Sequence, residues 1–228
     1  MGKEIDLKKG ELSRHVNKAL KAISDGFVIA IPLEYSYAFA CDAFRRDAVR
    51  AMHVLRGDPL FTVAQVLVGS AKMAQGVVRE TTPEISALMK NLWPGMLSMN
   101  LRPQMGLDWD LGDANQLDRV SIRVPKNKFA KALLAESGPL AVGIAGRVDR
   151  SSVLSFGSAE RIIQPAIKSI SEIMVLESNL AFKFSNGKLR NGPLSTVIEA
   201  DETGVRVLRI GAISLEEIQK IVPGATGL

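Results

Sequence analysis

Short apolar segments rich in β-branched residues recur along this chain, and proline, glycine or polar residues end each of them. Residues 27–31, which stop at Pro32, and residues 63–68 are typical of buried strands. Residues 11–25 instead place apolar side chains three and four positions apart, which predicts an amphipathic helix that ends near Gly26. Helices and strands alternate at first, and strands crowd the C-terminal half. This order predicts an α/β (α+β) protein whose helices pack on a sheet.

The same periodicities predict the remaining elements. Helices are expected over residues 42–55 with Asp42 as the cap, 83–90, 129–135, 159–170 and 215–221, the last begun by a capping box of Ser214 and Glu217. Further strands are expected over residues 96–101, 120–124, 139–144, 173–176, 195–199 and 205–210. The polar segment 182–192 holds two Asn-Gly pairs, which predicts a hairpin tip or a mobile loop.

The bulk composition indicates one globular domain. A chain of 228 residues with 46% hydrophobic and 23% charged residues can bury a core of its own, so we expect a single domain over residues 1–228. No apolar stretch approaches the roughly 20 residues that a membrane span needs. The N-terminal residues mix charges and lack an apolar signal core. A cytoplasmic protein without membrane contact is therefore expected.

Cysteine, histidine and net charge narrow the chemistry further. Cys41 is the only cysteine, which excludes an internal disulfide and fits a reducing compartment. His15 and His53 are the only histidines, and two distant histidines do not predict a tightly bound metal. A Mg²⁺ ion carried by a nucleotide needs fewer protein ligands. The formal charge of +5 suits phosphate-bearing partners, but the basic residues are spread out, so charge alone does not predict RNA binding.

Six short segments follow one another in an order that no secondary-structure rule requires. They are residues 31–38 (IPLEYSYA), 56–59 (RGDP), 92–95 (LWPG), 121–125 (SIRVP), 195–199 (STVIE) and 208–213 (LRIGAI). In this order and spacing they resemble the YrdC/YciO family, whose best-known members make threonylcarbamoyl-adenylate from ATP, threonine and bicarbonate. The resemblance covers about residues 12–213. It implies a YrdC-like (DHBP synthase-like) fold, a twisted mixed sheet flanked by helices, with a basic concave cleft that binds nucleotide or RNA.

The first of these segments carries a motif that lines the family's substrate cleft. Pro32, Glu34 and Tyr37 match it, so the resemblance makes them substrate- or nucleotide-binding residues. Leu33 stands where the family has threonine, and the run after Tyr37 is more similar to the YciO branch than to YrdC. Residue types alone leave a second interpretation open, a strand end with two tyrosines packed on its face.

The second segment departs from the family at its chemical centre. The synthetase branch has Lys-x-Arg-Pro there, whose two cations hold carboxylate and phosphates. Arg56 can replace the lysine, but Asp58 replaces the second cation, and a carboxylate facing a triphosphate is repulsive unless Mg²⁺ lies between them. Arg56 is therefore a candidate catalytic cation and Asp58 a candidate Mg²⁺ contact.

Arg123 is the second candidate catalytic residue. An arginine in an otherwise apolar strand is costly to bury unpaired, so it faces solvent, a bound anion, or a carboxylate such as Glu34 or Asp58. Leu92 to Gly95, the family's Leu-Trp-Pro-Gly, is interpreted as a rigid structural turn.

The C-terminal segments complete the site that the resemblance implies. Ser195, Thr196 and Arg209 match family residues that face the cleft and help to bind threonine and nucleotide. The Ser-Ala-Asn triplet that binds ATP in the synthetase branch is missing, and residues 144–146 (IAG) stand in its place. Backbone N–H groups there remain able to hold a phosphate.

Three functions remain open at this point. The first is an enzyme, a nucleotidyltransferase of the threonylcarbamoyl-AMP synthase type that serves tRNA modification, with ATP and Mg²⁺, a small amino acid such as threonine, and weakened or altered activity. The second is a degenerate paralogue that binds nucleotide or RNA, double-stranded RNA included, without turnover. The third is an enzyme with other substrates, in which Asp58 holds a metal or a cationic group.

Overall fold

One mixed sheet organises the part of the chain that the computed structural model describes, residues 2–79, 81–114, 116–146, 167–173 and 180–227. Ten strands within these residues pair in the order β1-β8-β2-β3-β7-β4-β6-β5-β9-β10. The strands are β1 (Lys3–Asp6), β2 (Val28–Pro32), β3 (Tyr37–Asp42), β4 (Gln65–Leu67), β5 (Leu97–Leu101), β6 (Val120–Arg123), β7 (Leu140–Ile144), β8 (Leu180–Ser185), β9 (Thr196–Asp201) and β10 (Gly204–Arg209).

Helices cover both faces of this sheet. They are α1 (Leu12–Ser24), α2 (Arg46–Arg56), α3 (Ala71–Gln75), α4 (Pro83–Leu92), α5 (Lys128–Ser137) and α6 (Leu215–Gln219), with a 3₁₀ turn at Ile170–Glu172. Helices α1 and α5 pack on one face, where Ile29 and Ile31 of β2 join their core. The other face, with Val28 and Ala30, packs against α2 and α4. This alternation is the period of two that a strand imposes on its side chains.

Helices α1 and α5 cover only one half of their face. Leu67 of β4 still packs in their core, but Gln65, two residues earlier on the same face, borders a cleft instead. The register continues this open half across the sheet, because Asn100 of β5 lies opposite Ser121 of β6, and Ser98 lies opposite Val197 of β9. All of these except the fully buried Ser98 border the cleft. The uncovered half of the sheet is therefore the floor of the cleft.

Most of the predicted elements agree with this architecture. The helices predicted over 11–25, 83–90, 129–135 and 215–221 are α1, α4, α5 and α6, and both bonds of the capping box at Ser214 and Glu217 are present. The strands predicted over 27–31, 63–68, 96–101, 120–124, 139–144, 195–199 and 205–210 are β2, β4, β5, β6, β7, β9 and β10. The mixed sheet with flanking helices is thus confirmed. The helix predicted over 159–170 and the strand over 173–176 lie almost wholly outside the described residues.

Two local predictions were wrong. Asp42 does not cap a helix, because it ends strand β3, and α2 begins only at Arg46. The carboxylate of Asp42 instead accepts a hydrogen bond from the backbone N–H of Phe44 at 2.9 Å. The segment 182–192 is not simply a loop, since its first residues belong to β8, which pairs in parallel with both β1 and β2. The two Asn-Gly pairs come after this strand, and Gly187 has a φ of 77°, so the turn signal applies only beyond Ser185.

Two further findings bear on function. No helix in the described part of the chain is long and apolar enough to cross a membrane. Among the same residues, no group of three or more His, Cys, Asp and Glu side chains converges to hold a metal ion.

The hydroxyl of Thr196 fixes the chain where it leaves the sheet after β10. Thr196 is fully buried. Its Oγ1 accepts hydrogen bonds from the backbone N–H groups of Gly211 and Ile213, both at 2.9 Å, and donates to the carbonyl of Ile213 at 2.6 Å. Three backbone groups thus depend on one buried side chain.

We therefore expect Thr196→Val to destabilise the fold. The substitution keeps the shape but leaves two N–H groups without their acceptor, at a cost of about 1–3 kcal/mol for each unsatisfied buried group. Urea unfolding measures the change. Thr203→Val, at an exposed turn residue, is the control and should change the free energy of unfolding by less than about 1 kcal/mol, in keeping with a surface site. Equal effects of the two substitutions would contradict this role of Thr196.

Candidate active site

A cleft of about 630 Å³ lies over the uncovered half of the sheet. Its volume is in the range typical of small-molecule sites. Six of the eight residues that the sequence singles out for catalysis or binding border it: Glu34, Tyr37, Arg56, Arg123, Ser195 and Arg209. Pro32 and Thr196 do not border the cleft. Pro32 is buried at the end of β2, paired with Tyr37, and the Thr196 hydroxyl is occupied by backbone groups.

Arg56 lies at the end of α2, where the left-handed Gly57 terminates the helix. Its Nε donates to Oδ2 of Asp58 at 2.7 Å, and its Nη1 donates to the carbonyl of Ile144. The guanidinium lies against the backbone of β7 at Gly143, where an added Cβ would approach its Nε to 2.7 Å and its Cζ to 2.8 Å. Only glycine leaves room for the arginine at this point.

Asp58 is the partner of two cationic side chains. Its Oδ2 is 2.7 Å from Nε of Arg56 and 2.7 Å from Nδ1 of His53, and its side chain is 1% exposed. Its Oδ1 is buried without a hydrogen-bond partner in the described structure. Burial raises the pKa of this carboxyl, but the hydrogen bonds and charges of His53 and Arg56 outweigh it, so the pKa lies below its usual value. Both partners hold Oδ2, so a contact between Asp58 and Mg²⁺ would have to be made by the buried Oδ1.

His53 links this carboxylate to a loop below the cleft. Its Nδ1 faces Asp58, and its Nε2 is 3.0 Å from the carbonyl oxygen of Leu111. Both neighbours of the ring, Oδ2 of Asp58 and the carbonyl oxygen of Leu111, are hydrogen-bond acceptors. The close approach depends on Gly112, where a Cβ would lie 2.7 Å from Nε2. We name His53, Arg56 and Asp58 the buried charge cluster.

Arg123 is also paired within the protein. Its Nη1 donates to Oε2 of Glu34 at 2.9 Å and to the carbonyl of Gly95 at 3.3 Å. The Trp93 turn supplies that carbonyl, held in place by a bond from Gly95 N–H to Val124 and one from the indole N–H to Leu97. Of the alternatives open for Arg123, the structure shows the carboxylate of Glu34. Its Nε is buried without a partner in the described residues.

Tyr37 contributes to the site mainly through its backbone and hydroxyl. Its ring is fully buried. The hydroxyl donates to the carbonyl of Gly187 at 2.7 Å and accepts from the N–H of Asn186 at 2.9 Å, which ties the loop after β8 to β3. This agrees with the interpretation of a tyrosine packed at a strand end, and it adds a hydrogen bond that holds the wall of the cleft.

Ser195 and Arg209 lie at the opposite wall. Arg209 donates from Nη2 to the carbonyl of Ser195 at 2.9 Å and to its Oγ at 3.2 Å. Both residues border the cleft, together with Arg119, which sequence reasoning missed. Arg119 pairs with Asp201 at 2.7 Å, and this hydrogen bond raises the pKa of the guanidinium and lowers that of the carboxyl.

Polar side chains of the cleft floor were also missed. Gln65, Ser98, Asn100 and Ser121 interrupt strands that are otherwise apolar, and they share one face of the sheet. A polar residue at alternate positions of a buried strand was the signal that could have found them. Cys41, in contrast, is fully buried in β3, and burial raises the pKa of its thiol, so it supplies no thiolate nucleophile.

The buried charge cluster predicts a pH-dependent contribution of Asp58 to stability. Because its pKa is lower in the folded state, its stabilisation is complete above the unfolded pKa of about 3.9 and is lost as pH falls below that value. Asp58→Asn should therefore destabilise the protein at pH 7, by about 1–3 kcal/mol for a charged hydrogen-bonding partner, and this difference should shrink below about pH 4. Urea unfolding of both proteins from pH 7 to pH 3 measures it.

The control for this prediction is Asp108→Asn, which removes an exposed carboxylate from a loop outside the cleft. Its effect should stay within about 0.5 kcal/mol. A difference between wild type and Asp58→Asn that stays constant from pH 7 to pH 3 would show that the carboxylate charge does not stabilise the cluster.

Similarity to known proteins agrees with this geometry. A Mycobacterium tuberculosis protein, provisionally named threonylcarbamoyl-AMP synthase, is 29% identical over 210 residues, which are 92% of this chain and 90% of that protein. The fold is similar to Pyrococcus abyssi Sua5 complexed with L-threonine, with a TM-score of 0.82 at 23% identity. That match covers all of this chain and 62% of the longer protein. It is also similar to Escherichia coli YciO, with a TM-score of 0.74 at 22% identity over 96% of this chain and 98% of YciO.

A family model provides the classification. The model Sua5_yciO_yrdC, described as "Telomere recombination", matches residues 21–211. This range includes the buried charge cluster, Arg123 and both walls of the cleft. The chain therefore belongs to the Sua5/YciO/YrdC family, which confirms the resemblance carried by its six ordered segments.

Proposed function

We propose that this chain binds ATP and a small amino acid such as threonine and forms a threonylcarbamoyl-adenylate, with weakened or altered activity. Bicarbonate and the amine condense to a carbamate with loss of water, a carbamate oxygen attacks the α-phosphorus of ATP, and pyrophosphate leaves. The observation that carries the proposal is that six candidate residues border the same cleft of about 630 Å³. They are Glu34, Tyr37, Arg56, Arg123, Ser195 and Arg209. Relatives named for the same reaction support it.

The chemistry assigned to the cleft is positioning and charge neutralisation. The reaction needs no protein nucleophile, so the residues contribute by holding the reactants close and by stabilising the charge that develops on phosphate oxygens. Arg56, Arg123 and Arg209 are the cations at the walls of the cleft, and Ser195 orients the amino acid. We assign the phosphates of ATP to these three arginines; Arg119, the fourth arginine that borders the cleft, pairs with Asp201.

Two ion pairs within the cleft support a weakened synthetase activity. Arg56 is held by Asp58 and Arg123 by Glu34, both at hydrogen-bond distance, so part of each positive charge is already neutralised. At residues 144–146 no polar side chain remains, and the carbonyl of Ile144 accepts from Arg56. Each lost polar contact costs about 1–3 kcal/mol, so two or three of them reduce a rate by several powers of ten.

The same pairs favour a second candidate function. A cleft whose arginines are paired with carboxylates retains its shape, but it stabilises the negative charge of a triphosphate in the transition state less strongly. The alternative is therefore a paralogue that binds a nucleotide or RNA without turnover. Under the first function, the adenylate product supplies a tRNA-modifying step, so tRNA is the expected downstream partner.

The first test is release of pyrophosphate by the purified protein with ATP, Mg²⁺ and bicarbonate, with and without L-threonine. We expect slow, threonine-dependent release. Arg56→Ala should abolish it, because it removes a cation from the cleft. Arg206→Ala is the matched control, since Arg206 forms a comparable 2.8 Å ion pair with Glu199 but is exposed and outside the cleft. Absence of threonine-dependent release from the wild-type protein would refute the synthetase function.

The alternative makes its own prediction about salt. If the cleft binds RNA, the logarithm of the affinity should fall linearly with the logarithm of salt concentration, with a slope of about −0.7 to −0.9 for each phosphate neutralised. Fluorescence anisotropy with a labelled duplex RNA and with a labelled single strand measures this slope. Arg56→Ala and Arg209→Ala should each reduce the slope by about one unit. A slope that neither substitution changes would place any RNA contact outside the cleft.

A further inference from the structure

A chain of hydrogen bonds crosses the floor of the cleft from β4 to β10, over five neighbouring strands. Nε2 of Gln65 on β4 donates to Oγ of Ser121 on β6 at 3.2 Å and to Oγ of Ser98 on β5 at 2.9 Å. Ser98 donates in turn to Oγ of Ser195, just before β9, at 3.0 Å. Arg209 donates to the same Ser195 oxygen at 3.2 Å. We name these five side chains the floor network.

The two ends of the floor network set the direction of every bond in it. The amide nitrogen of Gln65 and the guanidinium of Arg209 only donate. Ser98 therefore accepts from Gln65 and has its own hydrogen left to give to Ser195. Ser195 accepts twice, from Ser98 and from Arg209, and Ser121 accepts from Gln65.

This direction determines what the cleft floor presents to a ligand. An Oγ that accepts from neighbours has its own O–H directed elsewhere, and for Ser121 and Ser195 no acceptor for that hydrogen is found among the described residues. Both residues border the cleft, whereas Ser98 is fully buried. The floor therefore offers two O–H donors to a bound group.

We propose that Ser121 and Ser195 bind an anionic oxygen group of the ligand, a carboxylate or a phosphoryl group, and that Gln65 is the positioning residue that holds both hydroxyls as donors. This inference rests on the proposed function, because it assigns one reactant group to a place in the same cleft. Two neutral donors next to Arg209 suit an anion, since hydrogen bonds to a charged acceptor are stronger than neutral ones. Gln65 and Ser98 lie outside the six segments that carry the family resemblance, and Ser121 is the first residue of one of them.

The decisive variant is Gln65→Glu, which keeps the shape of the side chain and reverses its role. A carboxylate at this position accepts, so Ser98 and Ser121 must donate to it. Ser98 then accepts from Ser195 instead of donating to it, and the hydrogens of Ser121 and Ser195 both turn away from the ligand. Gln65→Met removes the donors without adding charge, which separates loss of orientation from repulsion. Gln75→Glu is the matched control, because it makes the same isosteric change at an exposed position at the end of α3, outside the cleft.

Isothermal titration with L-threonine, Mg²⁺-ATP and inorganic phosphate as separate probes measures the effect. Gln65→Glu should weaken the affected probe about 100-fold, and Ser121→Ala and Gln65→Met about tenfold, as expected for one or two hydrogen bonds to a charged group. In the Gln65→Glu background, Ser121→Ala should weaken probe binding by less than a further threefold, because the serine hydroxyl has already lost its orientation. Gln75→Glu should stay within twofold of wild type, and urea unfolding should show that each variant is folded.

The probes identify the bound group. Loss of threonine binding with unchanged ATP and phosphate binding identifies the carboxylate, and the reverse pattern identifies a phosphoryl group. The proposal is overturned if Gln65→Glu leaves all three probes within twofold, if Ser121→Ala costs as much in the Gln65→Glu background as alone, or if no probe binds the wild-type protein.

These outcomes are distinct from those of the pyrophosphate assay. Pyrophosphate release with probe affinities that Gln65→Glu does not change would reject the floor network as a binding device and leave the synthetase function in place. Altered probe affinity without any pyrophosphate release would support the floor network and reject the synthetase function.

Discussion

The half of a sheet face that α1 and α5 leave uncovered constrains the rest of the described structure. Helices α1 and α5 seal one half of their face, and the other half is left to side chains that must be stable beside water or a ligand. Apolar residues there would form an exposed hydrophobic patch, so the strands switch to glutamine, serine and asparagine at the positions that face the opening. The cleft thus lies where α1 and α5 no longer cover the sheet, and polar side chains stand at the floor positions that these two helices leave open.

Charge within the cleft is arranged in pairs. Four arginines border the proposed ligand site, and the carboxylates of Asp58, Asp201 and Glu34 pair with three of them, while His53 also contacts Asp58. Such pairs orient a guanidinium well, yet the bound carboxylate lowers the potential that a phosphate would meet. Orientation and attraction are in competition here. The balance between them decides whether the cleft turns over its ligand or only binds it.

The sequence predicted the sheet, most of its strands and six of the residues that border the cleft, because apolar periodicity and family motifs are local signals. It failed where partners are distant along the chain. Strand β3 was missed because its apolar residues follow directly on the motif before it, and β8 because its apolar residues were grouped with the polar segment that follows them. Asp58 was interpreted as a charge reversal facing the ligand, since nothing local shows that His53 and Arg56 enclose it. Gln65 was part of a predicted apolar strand, and only the register of four strands reveals its neighbours.

The buried charge cluster has a consequence for how this branch of the family can change over evolutionary time. A cation at position 58 would lie between His53 and Arg56 without the carboxylate that now pairs with both, next to Gly143, where an added side chain would press on the guanidinium of Arg56. Replacing Asp58 by a cation would therefore need compensating changes at His53 and Arg56, the two side chains whose close approach also constrains Gly112 and Gly143. Each single step would leave a buried charge unbalanced. The substitution is therefore entrenched by its surroundings, and divergence at this position is expected to proceed in one direction.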